Sequence, residues 1–69
     1  MFLIKTAIEV FLIKSYNKTN NMDEACRLAE KQFQGLSLIQ NTNGDYYKIV
    51  ILSSNNNIID AISNIPIKK

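Results

Sequence analysis

The side chains that could carry out catalysis are few, and none of them is arranged as a catalytic group requires. The sequence contains no histidine, which is the commonest general base and metal ligand. Its six carboxylates are scattered along the chain, and no two of them form a recognisable acid–base motif. They are Glu9, Asp23, Glu24, Glu30, Asp45 and Asp60. Asp23 and Glu24 have a structural explanation, because negative side chains stabilise the start of a helix.

Cys26 is the only thiol, so the sequence excludes an internal disulfide and a cluster of several cysteine ligands. A nucleophilic cysteine needs an adjacent base, and Cys26 falls on the apolar side of a predicted helix that offers none. We therefore predict that it is a buried packing residue. The two glycines, Gly35 and Gly44, both fit predicted turns, so no glycine-rich phosphate loop is expected. The sequence predicts a protein that is not an enzyme and that uses no cofactor or metal.

Length and composition indicate a single small globular domain over residues 1–69. Hydrophobic residues make up 46% of the chain and charged residues 20%, which is typical of a folded protein. No apolar run approaches the roughly 20 residues that span a membrane, and no secretory signal is recognisable. We therefore expect a cytoplasmic protein that does not contact membranes. A net charge of +2 is too small to predict direct binding of nucleic acid.

The most clearly predicted element is a helix over residues 21–34. Asn21 can cap its first turn, and Glu24 stands three residues later, where a reciprocal cap bond can form. One face of this helix is apolar, and Gly35 is suited to end it. The apolar face comprises Met22, Ala25, Cys26, Ala29 and Phe33, with Leu28 at its flank.

A β-hairpin is predicted after this helix. Residues 36–42 and 45–53 flank Asn43-Gly44, the strongest short signal for a hairpin turn. A two-residue loop pairs Thr42 with Asp45, and the register then places three mostly apolar pairs on one face of the sheet. Those pairs are Gln40 with Tyr47, Leu38 with Ile49, and Leu36 with Ile51.

Two other segments fit more than one secondary structure. Residues 2–14 show an apolar face with the period of a strand and also with the period of a helix, so periodicity does not decide between them. Their content of Ile, Val, Phe and Thr favours a long strand. Residues 58–63 fit a short helix or a last strand, and we favour the strand because asparagines before them suit a turn.

The predicted fold is therefore α+β, with a single helix packed on one face of a mostly antiparallel sheet of three or four strands. The element order is β-α-β-β, with a further β-strand if residues 58–63 are extended. One helix covers only one face, so the other face leaves apolar side chains such as Ile39 and Val50 exposed. This predicts a partner or a second copy, unless the tail at residues 58–67 folds over that face. Tyr16, Tyr46 and Tyr47 could also form a platform for nucleic-acid bases, although tyrosines are commoner in cores and at edges.

The run at residues 21–31, followed by an extended segment, Asn43-Gly44, an aromatic strand and another turn, resembles the small phage-encoded anti-CRISPR proteins. Its layout is most similar to a type I-F inhibitor, and the resemblance covers residues 21–47. The resemblance implies a short starting strand, one helix and an antiparallel sheet. It also implies that basic helix residues lie against the backbone subunits of a CRISPR surveillance complex and block the path of target DNA. Arg27 and Lys31 stand at the matching positions.

Three hypotheses for function follow. In the first, the chain is a non-enzymatic binding protein of a phage or mobile element that inhibits a host defence complex at its nucleic-acid site. In the second, it is a small nucleic-acid-binding regulator, and in the third it is a self-assembling module such as a homodimer. The residues predicted to contact a partner are Arg27, Lys31, Gln34, Tyr46 and Lys48.

Overall fold

The computed structural model describes residues 4–67, which form two helices followed by a three-stranded antiparallel sheet. The elements are α1 (Ile4–Thr19), α2 (Met22–Gln32), β1 (Leu36–Asn43), β2 (Tyr46–Ser53) and β3 (Ile58–Pro66). The strands lie in the order β1-β2-β3. Both helices pack on one face of this sheet, α2 over β1 and α1 over β3. The fold is α+β with an antiparallel sheet, as predicted, but it contains two helices instead of one.

The prediction of a strand over residues 2–14 is wrong for its described part, which belongs to α1. Ile8, Leu12 and Tyr16 are spaced four residues apart and are all buried, whereas Val10 is 46% exposed. Strand and helix preferences differ by only tenths of a kcal/mol per residue, while burying one large apolar side chain contributes about 1.5–3 kcal/mol. Burial of the helical stripe therefore outweighs the β-branched composition. Phe2 and Leu3, the first residues of the predicted strand, lie outside the described residues.

Residues 15–21 are polar, which is typical of a loop, but the first five of them belong to α1, because this helix continues to Thr19. It ends at Asn20, which takes a left-handed conformation at φ 56° and donates its backbone N–H to the Tyr16 carbonyl at 2.7 Å. Asparagine tolerates this conformation better than most residues, so it can end a helix much as glycine does. The connection to α2 is therefore very short, and the two helices form a hairpin.

The prediction for α2 is confirmed at its start and on its buried face. The Asn21 side chain accepts a hydrogen bond from the Glu24 backbone N–H at 3.2 Å. Met22, Ala25, Cys26 and Ala29 are buried in the core. The helix ends two residues before the predicted end, and Gly35 takes a left-handed φ of +86° in the turn that follows.

The predicted hairpin is present, but its register is shifted. The structure pairs Asn43 with Tyr46 and Leu38 with Ile51, so the two loop residues are Gly44 and Asp45. Gly44 has φ +64°, and neither Asn43 nor Asp45 is left-handed, which fits a turn that requires glycine at its first loop position. The pairing moves by two residues along β2, so every side chain keeps its predicted face.

β3 confirms the strand favoured for residues 58–63 and extends it to Pro66. Its pairing with β2 is irregular, because Tyr47 faces Ile65 while Ile49 faces Ile62. One extra residue on β3 makes a bulge there, and Asn64 has a left-handed φ of 63°. The bulge turns both Ile62 and Ile65 into the core, although their spacing of three residues would put them on opposite faces of a regular strand.

The face of the sheet away from the helices is not covered by the tail, because residues 58–66 form the third strand. On this outer sheet face Ile39, Val50 and Ala61 lie side by side across the three strands. Ile39 is 51% exposed, and Ile58, which faces Leu52 on the same side of the sheet, is 73% exposed. Within residues 4–67, neither helix is long and apolar enough to span a bilayer.

Candidate protein-binding groove

A groove of about 620 Å³ is lined by residues of the two helices, and its described lining includes none from the sheet. Most of its lining comes from α1, because residues 11, 14, 15 and 18 recur on one side of a helix. α2 contributes a single residue, Leu28, from the flank of its buried face. The lining residues are Phe11, Lys14, Ser15, Asn17, Lys18, Thr19 and Leu28. We call this depression the helical groove.

The floor of the helical groove is apolar and held in place. Phe11 is half-buried, and its ring meets that of Phe33 edge to face, with centroids 5.7 Å apart and planes at 84°. Leu28 of α2 is 38% exposed and supplies the second apolar side chain of this floor. An aromatic pair of this geometry is stabilising beyond the area it buries, so Phe11 offers a fixed surface rather than a mobile one.

The rim of the helical groove is basic. Lys14 and Lys18 are exposed side chains one turn apart on α1, and no aspartate or glutamate is among the described lining residues. Thr19 is fixed at the end of α1, since its Oγ1 donates to the Ser15 carbonyl at 2.9 Å and accepts from the Asn21 N–H at 3.3 Å. The groove therefore offers apolar contact on its floor and two positive charges at its edge.

The structure divides the five predicted contact residues between two sides of the molecule. Arg27 and Lys31 are exposed on α2, on the side of the helix opposite its buried stripe, so they extend the basic surface beyond Lys14 and Lys18. Gln34 is exposed in the turn after α2. By contrast, Tyr46 and Lys48 are exposed on the outer sheet face.

These two groups cannot meet one flat partner surface, because the sheet and its core lie between them. Tyr46 and Lys48 instead line a shallow polar pocket of about 220 Å³ at the end of β2. Asn43, Tyr47, Ser63 and Asn64 complete its wall. The predicted residues thus fall on a basic helical side and a polar end of the sheet.

Tyrosines do not form a joint platform for nucleic-acid bases. Tyr16 is buried, and its ring packs edge to face on Tyr47 with centroids 5.5 Å apart. A hydrogen bond between the Tyr47 and Tyr16 side chains, together with desolvation, raises the pKa of Tyr47 to about 12. Only Tyr46 of the three is exposed, so a row of stacked bases has a single aromatic side chain to lie on.

Cys26 is a buried core residue, as predicted. Burial, together with the negative charges of Glu30 and Asp23, raises the pKa of its thiol to about 11. The thiol is therefore protonated and a poor nucleophile at neutral pH. Within residues 4–67, no three cysteine or carboxylate side chains are grouped so that they could hold a metal ion.

A strand over residues 2–14 would place the groove residues on both faces of a sheet, so the composition that favours a strand conceals the helical groove. The sequence signal for the groove is the spacing of Phe11, Lys14, Ser15 and Lys18, because these four residues lie on the same side of the chain only if the chain is helical. Comparison of the chain with protein-family models, curated proteins and solved structures finds no match.

Proposed function

We propose that this chain is a non-enzymatic binding protein that docks an acidic, amphipathic segment of a partner protein in the helical groove. The single observation that carries the proposal is an apolar floor of Phe11 and Leu28 beside the charged rim of Lys14 and Lys18. A volume of about 620 Å³ lies within the range of roughly 300–1,000 Å³ that is usual for binding pockets. Apolar side chains of the partner would fill the floor, and its carboxylates would face the lysines.

The same chemistry favours a protein over nucleic acid as the partner. A phosphate backbone gains nothing from the apolar floor, and a net charge of +2 gives little of the counterion release that drives such binding. A protein segment with both apolar and acidic side chains uses both features of the groove, because its apolar side chains contact the floor and its carboxylates face the lysines. Electrostatic steering by the exposed basic side chains would also speed the encounter with an acidic surface.

The resemblance to anti-CRISPR proteins suggests which partner this is. We propose a host defence complex in the bacterial cytoplasm, bound by a protein that a phage or mobile element encodes. A site that holds nucleic-acid phosphates is itself positive, so the cations of this chain would be repelled from its centre. The inhibitor would therefore bind acidic residues beside that site, with Arg27 and Lys31 in contact, and would block the nucleic acid by its bulk.

Charge reversal on the groove rim is expected to abolish partner binding. The Lys14→Glu/Lys18→Glu double variant replaces attraction by repulsion, so retention of the partner should fall at least about tenfold. The measurement is recovery of host proteins on the immobilised chain from a nuclease-treated lysate, quantified by mass spectrometry. Lys48→Glu is the control for one charge reversal on the opposite side of the molecule, to be compared with Lys14→Glu and Lys18→Glu made singly, and it should leave recovery unchanged. Equal recovery by all variants, or recovery that nuclease removes, would contradict the proposal.

Inhibition of host defence provides a separate test for α2. An Arg27→Glu/Lys31→Glu variant should lose its ability to protect an invading phage, while keeping the helical content of the parent protein. Plaque counts on a strain with an active CRISPR system measure this protection, and circular dichroism checks the fold. Both side chains are exposed, so the substitutions leave the core intact. A parent protein that gives no protection would refute the inhibitor role. It would not refute partner binding in the helical groove, which the recovery of host proteins on the immobilised chain tests separately.

A further inference from the structure

The two free edges of the sheet are protected to very different degrees. On β3, the edge N–H of Ala61 donates to Oδ1 of Asp60 at 2.7 Å, so it is already occupied. The bulge at Asn64 and the proline at Pro66 interrupt the rest of that edge. Charge, bulges and proline are the devices by which natural sheets prevent another strand from pairing with them. The β3 edge therefore has little capacity to accept a strand.

The β1 edge has almost none of these devices. β1 reads LSLIQNTN, with no charged residue and no proline, and its pairing with β2 is regular from end to end. The exposed part is the half that approaches the turn, where Asn41, Thr42 and Asn43 are all exposed. α2 covers the other half, and Glu30 on α2 accepts the Leu38 N–H at 2.8 Å.

The register identifies the backbone groups of β1 that point away from the sheet. Asn43 and Tyr46 close a two-residue loop, and the pair that closes such a loop is hydrogen-bonded. Bonding then alternates, so odd-numbered residues bond β2 and even-numbered residues point outward. The bond from the Leu38 N–H to Glu30 agrees with this alternation. The outward groups still open to another strand are those of Gln40 and Thr42.

We propose that β1 of a second copy of this chain pairs antiparallel with this edge, around a two-fold axis at Asn41. In that register Gln40 faces Thr42 of the second copy, and each such pair exchanges two N–H···O bonds. The symmetric pair of contacts gives four hydrogen bonds and joins the two sheets into one of six strands. The bond between Leu38 and Glu30 is untouched, because the pairing begins beyond it.

The composition of the exposed half of β1 favours a second copy as the occupant. Amide side chains carry both a donor and an acceptor, so Asn41 is complementary to itself across a two-fold axis. Two identical uncharged strands also do not repel each other, whereas two identical charged strands would. The contact is small compared with the roughly 800 Å² per partner of a standard interface. We therefore expect a weak dimer, with a Kd of about 100 µM.

An Asn41→Lys variant tests the proposal, because it places two positive charges directly opposite each other at the axis. Sedimentation equilibrium should show the parent protein passing from monomer to dimer between about 10 µM and 1 mM. Asn41→Lys should weaken this association at least about tenfold while the circular dichroism spectrum is unchanged. Gln40→Pro, which removes an outward N–H and no bond to β2, should have the same effect.

Ile58→Lys is the matched control: Ile58 faces Leu52 and is 73% exposed, so the variant adds the same charge to the outer sheet face but on the opposite edge strand. It should dimerise like the parent protein. A parent protein that remains monomeric at about 1 mM overturns the proposal. So does a dimer that Ile58→Lys dissociates and Asn41→Lys does not, because that pattern means two outer sheet faces packed together.

Discussion

A Leu12→Ala variant is expected to lose about 2–5 kcal/mol of its free energy of unfolding, because a fully buried leucine leaves a cavity when it is truncated. A chain of this length has a total stability of only about 3–10 kcal/mol. The loss is therefore a large fraction of the total stability, and the variant should unfold at a much lower urea concentration than the parent protein. Urea unfolding followed by far-ultraviolet circular dichroism measures the loss, with the parent protein as reference.

Val10→Ala is the control that makes this measurement decisive. Val10 lies on the same helix as Leu12 but is 46% exposed, so its truncation should change the stability by less than about 1 kcal/mol. In a strand the two residues would share a face, and truncating either one would have a similar cost. Comparable losses for the two variants would therefore contradict α1 and restore the strand that the composition favours.

Alkaline pH is expected to destabilise the protein through groups in its core. The thiol of Cys26 has its pKa raised from 9.0 to about 11, mainly by burial and further by Glu30 and Asp23. Below pH 9 the thiol is protonated in both the folded and unfolded chains, so its contribution to stability is complete. Between pH 9 and 11 the unfolded chain releases this proton first, and roughly 2–3 kcal/mol of stability should be lost.

Tyr47 extends this loss to higher pH. A hydrogen bond to Tyr16 and desolvation raise its pKa from 10.0 to about 12, so its contribution is complete below pH 10 and disappears as the pH rises towards 12. Urea unfolding at a series of pH values between 7 and 11 should show a progressive decline.

The Cys26→Ala variant separates the thiol from lysine and tyrosine ionisation, which affect both proteins equally. It should start less stable than the parent at neutral pH and decline less steeply, so that the two stabilities converge above pH 9. Parallel declines would show that the thiol titrates at its ordinary pKa and is therefore open to solvent.

Local signals predicted the middle of the chain well. The cap at Asn21 and the apolar stripe of α2 depend on residues within one or two turns of the helix. The alternation of apolar and polar residues also predicted which side chains lie on each face of the hairpin. These assignments are correct although the predicted register is not, because the pairing differs by an even number of residues. The exact loop position depended on backbone angles at Gly44 and Asp45 that an Asn-Gly pair does not determine.

The first helix could not be predicted in the same way, because its sequence fits two periods equally well. What decides between them is the presence of a complementary surface: Ile8 and Leu12 pack as a helical stripe against α2 and β3. That surface is assembled from α2 and β3, which lie farther along the chain, and neither composition nor periodicity reports it. The helical groove is lined mostly by α1, so a sequence that does not distinguish a helix from a strand in this segment cannot predict the groove either.

The placement of β3 beneath α1 has a consequence for synthesis on the ribosome. α1 packs on α2 and on β3, so its buried stripe gains its partner strand only when the last element of the described chain has been made. Until then, Ile8 and Leu12 on the nascent chain are exposed to water and to other chains. We therefore expect folding to complete after translation of β3 as one cooperative event, and truncated nascent chains to be recognised by chaperones.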